Sequence, residues 1–157
     1  MSEAFEFEID GRAYKVRSMD CFAQLAILAK VSPLLASGFG EIVAFVVAMR
    51  KEGIANLGNV PMERAAALLP PVARELAKMS DQDRREVIGA CLDVVERKTD
   101  VGQGWAKIWN VAAGRAMFDD INNDLLLTLR IALNVFQGTF RRFFPESLSK
   151  FLAGENG

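Results

Sequence analysis

The alternation of apolar and polar residues is clearest at the start of the chain, in "AFEFEIDGRAYKVR". Phe5, Phe7 and Ile9 fall on one face of a strand with Glu6 and Glu8 on the other, and Asp10-Gly11 is a preferred two-residue type I′ turn. Folding about that turn sets Ile9 against Arg12, Phe7 against Tyr14 and Phe5 against Val16, and it brings Glu6 opposite Lys15. The pattern predicts a β-hairpin over 4–17. Its aromatic face must pack on the helices next in the chain, because an isolated hairpin is marginal in water.

Beyond the hairpin the period changes to that of a helix. Ser18 or Asp20 is placed to cap a helix carrying Phe22, Leu25, Ala26, Leu28 and Ala29, predicted to end before Pro33. A second helix is expected from about Gly40 to Lys51, stopped by Gly53. Met62, Ala65, Ala66, Leu69, Val72, Ala73 and Leu76 keep helical spacing, with a break or a sharp kink near Leu69 imposed by Pro70-Pro71. Ser80 caps the next predicted helix, with Asp81 and Asp83 in its first turn and Arg97-Lys98 at its end, as the helix dipole favours. Residues 100–121 read as a loop with short extended pieces, or equally as a helix through Trp105, Ile108, Trp109 and Ala112. From Asn122 a long helix is predicted up to Pro145, and a short terminal one carries Leu148, Phe151 and Leu152 before Gly154. The expected fold is mainly α: a single domain over 1–157 in which a helical bundle, 18–153, supports the hairpin.

Composition narrows the function classes. A chain of 157 residues buries roughly 70% of the surface of its unfolded state. Its 19 basic and 20 acidic side chains leave a net charge of −1, so the basic excess of a phosphate-neutralising nucleic-acid binder is missing. Histidine does not occur, which removes imidazole bases and imidazole metal ligands. Cys21 and Cys91 are far apart in sequence, and Cys91 lies in a helical apolar stripe, the position of a buried thiol. The acidic N-terminus has no apolar core of a secretory signal, pointing to a reducing, cytoplasmic setting. The apolar run from Ile42 to Met49 is far shorter than the ~20 residues a membrane span needs, so no membrane contact is expected.

Candidate chemistry is sparse. Asp120, Asn122 and Asp124 start a calcium-loop spacing, but Leu125 stands where that loop needs glycine and Ile131 where it needs glutamate. Helix capping by Asn122 or Asp120, with Asp124 in the first turn, accounts for the same residues. Neither a phosphate-binding glycine loop nor a positioned nucleophile is present, so no cofactor, no metal and no catalytic residue is expected, and the chain reads as a non-enzyme.

The stretch "NVFQGTFRRFFPESLSKFL" is unusually aromatic. Leu126, Leu129, Leu133, Phe136, Phe140 and Phe143 make a heptad seam of about two and a half heptads, from which Arg141 and Arg142 point away. Cations turned from the rings do not build a base-stacking groove. Several exposed phenylalanines together would exceed the apolar patch a monomer tolerates, so the seam is buried in the protein's own core or against a partner. For Phe140, Phe143, Phe144 and Phe151 both remain open, and with Trp105 and Trp109 they form the candidate partner-binding set.

The hairpin "FEFEIDGRAYKVRSMD", the apolar helix "CFAQLAILAKVSPLL" and the late segment "WAKIWNVAAGRAMFDDINNDLLLTLRIALNVFQGTFRRFF" together resemble tail assembly chaperones of long-tailed bacteriophages. The resemblance implies a non-enzymatic protein of the host bacterial cytoplasm that binds the tape measure protein and keeps it from aggregating before the tail tube polymerises; a homo-oligomer is left open. A small helical structural phage protein, a head–tail connector or minor tail component, is the alternative.

Overall fold

The computed structural model describes residues 4–54, 61–67, 69–102 and 104–143. β1 (Phe5–Ile9) and β2 (Arg12–Val16) pair antiparallel in the register the turn chemistry predicts, with Phe5 opposite Val16, Glu6 opposite Lys15 and Phe7 opposite Tyr14. Asp10 and Gly11 both take positive φ, 51° and 79°, as a type I′ turn requires. Arg130 reaches back to Asp10 at 3.1 Å and pins the turn to the rest of the molecule.

The expectation of a mainly helical bundle is overturned here: the chain folds as mixed α/β. The hairpin is half of a four-stranded antiparallel sheet, order β1-β2-β3-β4, completed by β3 (Val95–Lys98) and β4 (Trp105–Lys107). β5 (Trp109–Asn110) and β6 (Arg115–Ala116) add a small second sheet. Arg97 and Lys98, expected at the end of a helix, belong to β3, and of the two readings of residues 100–121 the extended pieces are the ones that form. The physical reason is the free edge of β2. Its backbone donors and acceptors need partners when buried, and Val95, Glu96 and Arg97 supply them opposite Val16, Lys15 and Tyr14.

Strand periodicity sorts the two faces of this sheet. Ile9, Tyr14, Val16, Val95 and Arg97 are buried on the inner face with Phe5 and Phe7 packed beside them. On the outer face Glu6, Lys15, Glu96 and Lys107 stand directly opposite one another across all four strands, alternating in sign. Each opposite-charge neighbour contributes roughly 0.2–1 kcal/mol, so the row favours this register without needing burial.

Helices close the inner face. α1 (Cys21–Lys51) is capped by Asp20, whose Oδ1 accepts the Ala23 N–H at 2.9 Å, and it ends where Gly53 turns the chain with φ 83°. It runs unbroken through Pro33, correcting the expectation of two helices. Proline removes one turn bond and costs about 3 kcal/mol in a free helix. Here α1 is held on both sides of it by buried Ile27 and Val31 before and Met49 after, and by Lys30 bound to Glu86. α2 (Met62–Ala66) and α3 (Leu69–Ala77) flank a break, and Pro70-Pro71 sit in the first turn of α3, where proline is tolerated. α4 (Asp81–Asp93) starts at Ser80, whose Oγ accepts the Asp83 N–H at 3.0 Å.

The long helix expected from Asn122 forms as α6 (Leu125–Thr139), preceded by a separate short α5 (Asp119–Asn122) and followed by a 3₁₀ turn at Arg141–Phe143. Asp124 caps α6 by accepting the Leu127 N–H at 3.0 Å, so the cap lies later than Asn122 or Asp120. α6 lies close enough to β1 that a Cβ on Gly138 would meet the Phe5 ring at 2.2 Å. The terminal helix expected to carry Leu148, Phe151 and Leu152 falls outside the described residues.

Tyr14 is the largest side chain with no exposure, and its ring stacks on Phe7 at 5.3 Å. Its hydroxyl has no hydrogen-bond partner among the described residues. Burial drives the phenol's pKa upward, with Arg97 opposing. An unpaired buried hydroxyl costs about 1–3 kcal/mol, so Tyr14→Phe is expected to raise unfolding stability by about 1 kcal/mol in a denaturant titration. A loss of stability would mean that the hydroxyl is bonded.

Candidate functional site

The acidic run with calcium-loop spacing does not converge. Asp120 pairs with Arg97 at 2.8 Å, and Asp124 is a helix cap. Asn122 clips β6 by accepting the Ala116 N–H at 2.9 Å and donating to the Ala116 carbonyl at 2.7 Å. Among the described residues no cluster of acidic or thiol groups could hold a metal ion. Cys91 is 2% exposed and burial pushes its thiol up to about 12, while Cys21 lies exposed on α1; both are free. A cavity of about 360 Å³ between α1, α3 and α4 is lined by Lys30, Glu75, Lys78 and Asp83 among others, but its cations already bind its anions, Lys78 to Glu75 and Lys30 to Asp83 and Glu86. None of the described helices is long and apolar enough to cross a membrane.

Three of the six aromatic candidates, Phe140, Trp105 and Trp109, have described side chains, and each meets a different neighbour. Phe140 is 1% exposed, its ring 4.7 Å from Phe136. Trp109 packs on Gly89 of α4, and Trp105 stands on the sheet beneath the Lys15 ammonium, 5.9 Å from its ring centre. Phe143 is in the 3₁₀ turn, its side chain outside the described set, and Phe144 and Phe151 lie beyond the described residues. The heptad seam is also rotated. The buried row of α6 carries Ile131 and Val135, whereas Leu133 of the seam is exposed.

What sequence reasoning missed is on α1. Phe22, Leu25, Ala26, Ala29, Pro33, Gly40, Val43, Ala44 and Val47 are all exposed, with Phe22 at 79% and Leu25 at 65%. At about 100° per residue they fall within one sector roughly 100° wide, running about 38 Å from Phe22 to Val47. Ile27, Val31 and Met49, all buried, lie on the opposite side of the same helix. α1 is therefore apolar on both sides and covered on one, its outer side bordered at Ala29 and Pro33 by the cavity that Met79 and Ser80 also line, and apolar all round is the signature of a helix enclosed by its surroundings. No ionised side chain interrupts the sector between Phe22 and Val47. Lys30 and Glu41 stand at its margins and are tied to Glu86 and Arg74. The other large exposed apolar residues among those described, Val101, Val111, Met117 and Leu125, sit on turns and element ends, and only Leu133 is mid-helix elsewhere. The signal was in the spacing of the sequence, and reading the helix as ending at Pro33 cut the stripe in two.

A family model described as phage tail assembly chaperone protein, TAC, matches residues 10–152. Neither a curated protein nor a solved structure gives a significant match.

Proposed function

The chain belongs to the phage tail assembly chaperone family, and from that premise we propose that it binds the tape measure protein and keeps it from aggregating during tail assembly, acting without catalysis. The observation that carries this reading is the uncovered apolar side of α1. A chaperone of a long aggregation-prone chain needs apolar surface that its own fold leaves open, and needs no cofactor. The stripe from Phe22 to Val47 supplies on the order of 400 Å² over its four largest side chains, within the roughly 300–600 Å² of the largest apolar patch on a monomer, which is often functional.

Leu25→Asp combined with Val47→Asp places two charges on the stripe at positions 65% and 46% exposed in the wild type. Exposed substitutions of this kind change stability by roughly 0.5 kcal/mol or less. The thermal transition is therefore expected to stay near the wild-type one. Co-expressed tape measure protein, captured by a tag on the wild type, is expected in the insoluble fraction with the double variant. Full capture by a folded double variant would exclude this face, and the distal phenylalanines Phe143, Phe144 and Phe151 would then be the surface to substitute next.

A further inference from the structure

We infer that the segment held on the outer face of α1 is itself an amphipathic α-helix of about 25 residues lying along it; this deepens, and rests on, the client-binding reading above. The first argument is main-chain hydrogen bonding. Within α1 the peptide N–H and C=O groups are spent on one another except for the one turn bond that Pro33 cannot make, so the face between Phe22 and Val47 offers a client side chains and no row of backbone partners. An extended segment laid there would bury its own peptide groups against Leu25, Val43 and Val47 unpaired, at a cost of about 1–3 kcal/mol for each. A helix arrives with those groups already satisfied.

Shape gives the second argument. Rows four residues apart carry Leu25 with Ala29 and Val43 with Val47. Ala26, Gly40 and Ala44 lower the surface beside those rows. Ridges and shallow grooves of that spacing accept another helix at about 8–10 Å between axes. A matching helix spans the stripe in roughly 25 residues and needs apolar side chains at i, i+3, i+4 and i+7, with no charge in the seam.

Area selects this occupant over a second copy of the chain. A stable pair buries about 800 Å² on each partner, and the stripe's large side chains supply only on the order of 400 Å². One such contact is weak. A long client carrying several suitable helices gathers many copies, each held weakly and all together held well.

The test uses the full chain with two fluorescently labelled peptides of identical Leu, Ala, Lys and Glu composition. One is patterned for an amphipathic helix, and the other alternates apolar and polar residues as a strand does. Anisotropy is expected to report binding of the helix-patterned peptide with at least a tenfold weaker affinity for Leu25→Asp, accompanied by a gain of helical circular dichroism. Equal or tighter binding of the strand-patterned peptide, or no binding of the helical one, overturns the inference. Capture of the tape measure protein that still depends on Leu25 and Val47 would, in either of those outcomes, leave the client-binding reading standing. Capture that ignores Leu25 and Val47 overturns both.

Discussion

Phe140→Ala is expected to lower the unfolding free energy by about 3–5 kcal/mol, the usual cost of deleting a buried aromatic ring. The ring is 1% exposed and tilted 52° against Phe136 at 4.7 Å, and the residue closes α6 by donating its N–H to the Phe136 carbonyl at 2.9 Å. Truncation leaves a cavity at the junction of α6 and the 3₁₀ turn. A domain has only about 5–15 kcal/mol in all, so the thermal midpoint should fall by roughly 10 °C or more. At a temperature where the variant is still folded, capture of the tape measure protein should persist, because the ring faces the core. Unchanged melting with capture abolished would reverse both assignments and return Phe140 to the partner surface.

Asp120→Ala is the second large effect. Arg97 sits in β3 at 5% exposure, Nη1 donating to both Asp120 oxygens at 2.9 and 2.8 Å and the guanidinium 4.4 Å from the centre of the Phe118 ring. Removing the carboxylate strands a cation already taken out of water, which costs about 3–5 kcal/mol when both partners are fully buried. Asp120 is 44% exposed, so water can replace part of what is lost, and about 2–4 kcal/mol is the expected cost. Arg97→Met added to Asp120→Ala should recover most of that loss, since an apolar side chain of similar length needs no counter-ion. Denaturant midpoints for the four combinations measure the coupling. A double variant no better than Asp120→Ala would place the Arg97 contribution in its contact with Phe118 instead.

The features legible in the sequence are those whose cause is local. The hairpin could be read to its register because Asp10-Gly11, the alternation and the Glu6–Lys15 pair all lie within fourteen residues of one another. Ser80 and Asp20 could be read as caps for the same reason. β3 could not. "VERK" alternates inward and outward, but its second inward residue is an arginine, so burial at that position depends on Asp120, more than twenty residues ahead. The buried row of α6 was hidden in a similar way. In "LLLTLRIALNVFQG" leucine occurs on every side, while the row that turns inward runs through Thr128, Ile131, Val135 and Gly138, two of them unremarkable by polarity or size. The α1 stripe was written in full, and its meaning required knowing which side of the helix α3 and α4 had already taken.

The pairing of β2 with β3 joins chain segments roughly 80 residues apart. During synthesis at about 5–20 residues per second, the hairpin and α1 therefore leave the ribosome several seconds before β3 emerges. Through that interval β2 is an open edge and both sides of α1 are bare. Nascent copies on neighbouring ribosomes of one message can exchange strands at that edge, so fast translation through residues 50–98 should improve the yield of correctly folded protein.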